Sequence, residues 1–347
     1  MKAHIYPIKD ALMYVDSRPL GLRGKGSQGE SHYTAENPPL GTVITYFFND
    51  TLRTSKELRQ KKEAALIKKG KDVSYPSLET LRNEDREEKP YLLFTIYNES
   101  GNEIRKMIQH PSLGLQRIVW DFRMSPKSAI ELKSSEPGRY GEANSGPLAL
   151  PGKYFVSMHK VVNGEATLMV DKTPFNCKWL ENMSIPVQDK AQTLAFQVKV
   201  EKLRRAVDGS SKILSDLNKR IKYAKSALKT YPNLELSKMK EIHTMEQKAD
   251  DISISLYGDP SLSKRDIEQN ESISGSVGLI IWNMWRSRSA PTQTNQTLYD
   301  SAGDSYAALI VEMSDLQKKV EDMERYLDEN EVPYTPGRGI INNWKKE

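Results

Sequence analysis

The chain has a single cysteine, Cys177, among 347 residues, which excludes an intramolecular disulfide and any metal site built from several thiolates. No histidine lies near Cys177 in sequence, so it reads as a small buried hydrophobe rather than a nucleophile. Histidine is nearly as scarce. His4, His32, His110, His159 and His243 share no spacing of the His-Glu-x-x-His type, so the expected metal content is none. Nowhere does the chain offer the roughly 18 successive apolar residues that a membrane helix needs. The first twenty residues also lack the apolar run of a signal peptide, which implies a cytoplasmic product if the chain is complete as written. Charge of one sign is lacking too. The 51 basic and 46 acidic residues leave a net +5 spread along the sequence, too even a field for nucleic-acid recognition.

The composition that remains, 37% hydrophobic and 28% charged, is that of a water-soluble chain with material for two or three cores. From Tyr91 to Val170 short β-type runs alternate with turns. In Leu115-Gln-Arg-Ile-Val-Trp-Asp-Phe-Arg123 one face from Ile118 onward is large and apolar, as a half-buried strand requires. Pro151-Gly152 turns the chain into a second such run, with Tyr154, Val156 and Met158 on one side. Asn163-Gly164 between two further runs is the strongest short-range hairpin signal, since a type I′ turn needs positive φ at both central positions. A strand is expected over Thr42 to Phe48, followed by charged helix-prone segments at Ser55 to Lys69 and Pro76 to Glu88.

From about Pro186 the apolar period lengthens. Leu214, Leu217, Ile221, Ala224 and Leu228 form one seam, and Leu309, Met313, Leu316, Val320, Met323 and Leu327 another. Met239, Ile242, Ala249, Ile252 and Leu256 form a third stripe, closed by Gly258-Asp-Pro260. Val277 to Trp285 is a shorter apolar segment. Asp208-Gly209 is expected to break or kink the first helix. The expected fold is therefore an Ig/FnIII-like β-sandwich with a helical insertion, followed by an antiparallel bundle of three or four helices. Its expected parts are a connector at 1–40, the sandwich at 41–175 with its insertion at about 52–89, the helices at 183–332 and a tail at 333–347.

Candidate chemistry is sparse. Gly24-Lys-Gly-Ser-Gln-Gly29 spells G-x-G-x-x-G, but neither a strand nor a helix adjoins it, so a loop is favoured over a dinucleotide site. Acidic neighbours such as Glu87-Glu88 and Asp250-Asp251 fall on helices where adjacent side chains diverge, which does not suit a glycosidase pair. Trp282 and Trp285 can form a sugar-stacking ledge, but their helical spacing is also what core burial demands, and core packing is favoured over the ledge. No catalytic residue and no cofactor is expected. The candidate interaction residues are Trp282, Trp285, Arg23, Lys25 and Tyr33, with the long loop from Ser125 to Leu150 as a further binding element.

Several segments narrow the reading: Tyr6-Pro-Ile-Lys-Asp-Ala11, Pro19 to Gly29, Tyr33-Thr-Ala-Glu-Asn-Pro-Pro39, Tyr75 to Arg82, Glu84 to Glu88, Trp120-Asp-Phe-Arg123, Gly146-Pro-Leu-Ala-Leu-Pro-Gly152 and Ala290-Pro-Thr292. Together they resemble the C-terminal portion of sortilin-like, BNR-repeat proteins of Bacteroidetes-type bacteria, often labelled glycosyl hydrolases. The resemblance implies a cell-envelope or extracellular, non-catalytic accessory module that scaffolds or binds a protein or glycan. It implies a β-propeller, in cis or in trans, as the partner on which the connector at 1–40 packs. The alternative it implies is a glycoside hydrolase, or part of one, with its active site in or shared with the propeller.

Overall fold

The computed structural model describes residues 2–14, 35, 38–50, 52–132, 146–180, 189–285 and 287–340. Two units emerge: Met1–Ser125 with Ser145–Pro186, and Pro126–Asn144 with Val187–Glu347.

Among its described residues the first unit holds eight strands, β1 (Ala3–Ile5), β2 (Ala11–Met13), β3 (Thr42–Phe48), β4 (Tyr91–Asn98), β5 (Glu103–Gln109), β6 (Gly114–Trp120), β7 (Gly152–Val162) and β8 (Glu165–Trp179). They form two sheets, ordered β1-β3-β6 and β2-β8-β7-β4-β5. Period-two patterning aims Ile44, Tyr46, Phe48, Ile118 and Trp120 inward, where they meet Phe94, Ile96, Tyr154, Val156 and Phe175. Trp120 anchors this core, with ring centroids 5.2 Å from Tyr154 and 5.8 Å from Phe122. Its indole donates to the Arg123 carbonyl at 2.9 Å, and the Arg123 amide donates to Asp121 Oδ1 at 3.1 Å. The Trp120-Asp-Phe-Arg123 string is thus a tight turn that places Phe122 at φ 62°, fully buried. Gly41, at φ 139°, lets β3 start beside Trp120, where a Cβ would come within 2.3 Å of the Trp120 carbonyl oxygen. Asn163 and Gly164, at φ 50° and φ 79°, make the expected hairpin between β7 and β8.

Two helices interrupt this unit, α1 (Ser55–Ile67) and α2 (Leu78–Arg86). α1 buries no residue, so its order rests on local devices. Thr54 and Glu57 form a reciprocal capping box, which satisfies two amides at the helix start. Arg59 of α1 grips Glu84 of α2 at 2.6 Å and 2.7 Å, the bidentate geometry that makes such pairs strong.

The second unit contains α3 (Lys190–Thr230), α4 (Lys238–Tyr257), α5 (Pro260–Ser263), α6 (Ile273–Trp285) and α7 (Gln293–Glu329). α3 packs against α4, α6 and α7, and both predicted seams lie in one buried apolar cluster. Charged pairs link the helices at the margins of that cluster: Arg220 to Glu324 at 2.6 Å and 2.8 Å, Lys225 to Glu246 at 2.6 Å and Lys248 to Glu312 at 2.9 Å. Past α7 the chain folds back, with Arg338 donating to Asp328 at 2.7 Å and to the Val332 carbonyl at 3.0 Å.

The expected Ig/FnIII-like sandwich followed by an antiparallel helical bundle is corrected. The chain is mixed α/β, with seven helices and two sheets among the described residues, one sheet curled into a half-barrel. The physical reasons lie in the pairing. β2 joins β8 in parallel while the other ladders are antiparallel, and irregular register in β4, β7 and β8 bends the five-stranded sheet. The two units are not consecutive along the chain either, because Pro126–Asn144, between β6 and β7, belongs to the helical unit. The predicted break at Asp208-Gly209 is corrected as well. α3 runs unbroken for 41 residues, with Val207, Ser210 and Leu214 keeping its buried face in phase. Within 1–40, Ala3–Ile5 pairs with β3 and Ala11–Met13 with β8, so these stretches complete sheets of the chain's own first unit.

Candidate functional site

The two tryptophans of the expected ledge part company. Trp285 is core, 1% exposed, while Trp282 is 45% exposed on α6. The geometry is that of a helix with one buried face, not of a paired stacking platform. Arg23, Lys25, Tyr33, His32 and the Gly24–Gly29 string lie outside the described residues, as do 133–145 of the long loop. Of that loop, Lys127 donates its amide to Glu201 at 2.7 Å and Glu131 pairs with Lys212 at 2.8 Å, so this stretch is tied to α3 of its own unit.

Cys177, Glu84 and Glu87 are tied into local structure. Cys177 is 2% exposed against Thr42, and burial pushes its thiol up to about 11. The cleft beside α2, about 610 Å³, is lined by Glu84, Glu87, Glu88 and Arg86 with Ser55, Thr80 and Asn163. Within it Glu84 is clasped by Arg59, whose hydrogen bonds hold the carboxyl below its ordinary range. Glu87 accepts from the Ser55 amide at 2.5 Å and from the Ser55 hydroxyl at 3.3 Å, which places a carboxylate at the positive start of α1. No group of three or more His, Cys, Asp or Glu residues able to hold a metal occurs among the described residues. No described helix is long and apolar enough to cross a membrane.

The surface with the clearest unmet physical demand is the outer face of the β1-β3-β6 sheet. β3 is apolar at both parities: Ile44, Tyr46 and Phe48 point inward, while Val43 and Phe47 point out. The ladder sets Phe47 between His4 of β1 and Leu115 of β6, and Val43 opposite Val119. Leu115 is 61% exposed, Tyr6 41% and Val43 36%. His4 and Tyr6 meet edge-on at 5.0 Å along one margin, and Arg117, opposite Thr45, supplies the charge on this face. Strands apolar on both faces normally lie between two layers. Beyond β6, no further strand pairs among the described residues, which leaves an open seven-residue edge beside the apolar face.

The sequence pattern draws attention to the inward face of this sheet. The signal for the outer one was Val43 and Phe47 alternating with Ile44, Tyr46 and Phe48, a pattern a half-buried strand does not need. Their union with Leu115 requires a β3–β6 pairing between segments distant in the chain, which local periodicity does not reveal. No protein-family model, curated protein or solved structure matches the chain.

Proposed function

We propose that this chain is a non-catalytic interaction module whose first unit docks a protein partner on the outer face of the β1-β3-β6 sheet. The observation that carries this reading is the doubly apolar β3, which sets Val43 and Phe47 beside exposed Leu115. Association would remove that apolar surface from water, the dominant favourable contribution in most protein–protein association. The resemblance to sortilin-like proteins names a β-propeller as the partner, in cis or in trans, and the cell envelope as its place. The hydrolase alternative draws no support from Glu84 or Glu87, since each already serves a structural bond.

A sortilin-type β-propeller from the same genome, purified and mixed with the chain, should co-elute with it in size-exclusion chromatography. Leu115→Asp combined with Val43→Asp should abolish co-elution while the circular dichroism spectrum stays unchanged. Failure to co-elute, or a complex indifferent to both substitutions, would count against the docking reading. Turnover of aryl glycosides or polysaccharides by the isolated chain would count against the non-catalytic one.

A further inference from the structure

We propose that the groove between α3 and α4 binds a small, hydroxyl-rich oxyanion, a phosphate or sulfate ester of a sugar or polyol. This site lies in the second unit and is independent of the docking surface. The groove has a volume of about 440 Å³, within the range of roughly 300 to 1,000 Å³ usual for small-molecule sites. One wall is a row on α3 at helical spacing, Ser211, Ser215, Asn218 and Lys222, with Lys219 beside it. The other is Ser253 and Tyr257 of α4, one turn apart. Apart from Leu214 every lining residue is polar, and none is a carboxylate.

Lys219 and Lys222 carry the charge among the groove's lining residues. The neighbouring lysines Lys212, Lys225 and Lys248 pair with Glu131, Glu246 and Glu312. Among the described residues, no carboxylate forms an ion pair with the Lys219 or Lys222 ammonium. Asp216 is drawn to Arg220 at 3.6 Å, and Asp250, on the same face of α4 as Ser253, does not line the groove. The three acidic residues of α3, Glu201, Asp208 and Asp216, do not line the groove.

The groups around these ammoniums suit a ligand with hydroxyls as well as a charge. Ser211 donates its proton to the Val207 carbonyl at 3.0 Å, which leaves its oxygen lone pairs to accept from a ligand hydroxyl. Asn218, Ser215 and Ser253 can donate or accept. Tyr257, 52% exposed, offers a ring at the groove for a sugar face.

Isothermal titration of the full chain with inorganic phosphate, inorganic sulfate, glucose 6-phosphate and glucose tests the assignment. Glucose 6-phosphate should bind saturably and more tightly than either inorganic ion, and glucose should give no saturable heat. Lys219→Gln combined with Lys222→Gln should weaken glucose 6-phosphate at least tenfold with an unchanged melting curve, while Lys212→Gln leaves it within twofold. Tyr257→Ala should weaken glucose 6-phosphate but not inorganic phosphate. The proposal is overturned by no saturable binding of any probe, by an unaffected double variant, or by equal affinity for inorganic phosphate and glucose 6-phosphate. Tighter binding of a short oligonucleotide than of the sugar phosphate would also overturn it.

Discussion

Tyr46 carries an unusual burden for a core residue. Its ring is fully buried, 4.9 Å from Phe94, and its hydroxyl has no hydrogen-bond partner among the described residues. A buried hydroxyl without a partner forfeits its hydration with no bond in return. Tyr46→Phe should therefore leave stability unchanged or raise it by up to about 1 kcal/mol, as read from urea denaturation; a loss of that size would imply a partner. Cys177 makes the complementary case, a thiol kept protonated through the neutral range by burial. Alkylation by iodoacetamide at mildly alkaline pH should be negligible in the folded chain and complete in denaturant. Glu84 behaves in the opposite sense to Cys177. Because Arg59 depresses its folded pKa, its contribution to stability is full above the unfolded carboxyl's value and is lost as pH falls through the folded one. Glu84→Gln should accordingly be destabilising near neutrality and should flatten the acid limb of the stability curve, a shape that pH-dependent melting records.

At the scale of elements, strongly periodic segments were legible and segments defined by their partners were not. The seams of α3 and α7 and the Asn163-Gly164 hairpin follow from spacing and turn chemistry alone. β1 and β2 have three residues each and exist because β3 and β8 offer them edges, so no local pattern announces them. β8 extends to Trp179 through Pro174 and several polar residues, held by its ladders to β7 and β2. Gly209 misled in the other direction. A helix continues through glycine at a cost of about 1 kcal/mol when its buried face stays in phase on both sides. A Cβ there would meet nothing within 4 Å. Gly209→Ala should stabilise the second unit by up to about 1 kcal/mol, whereas a broken helix would gain nothing. Leu217→Ala and Leu316→Ala, both in the shared cluster, should each cost about 2 to 5 kcal/mol. Thermal melts of these variants test the seam, and neutrality in both would refute it.

For the whole molecule, the candidate surfaces share one reason for escaping a linear reading. Each is assembled from elements whose juxtaposition is a tertiary event. The sheet face needs β1, β3 and β6 side by side, and the α3–α4 groove needs two helices brought together. Residue types along the chain were informative only where one local turn or element sufficed, as with Asn163-Gly164 in the β7–β8 hairpin. The central claim is that the outer face of the β1-β3-β6 sheet holds a protein partner. Hydrogen–deuterium exchange with and without the β-propeller tests it most directly. The account predicts slowed exchange in peptides covering Gly114–Trp120 and Thr42–Phe48, with Lys190–Thr230 unchanged. Protection confined to the helices, or none anywhere under conditions where the complex forms, would contradict it.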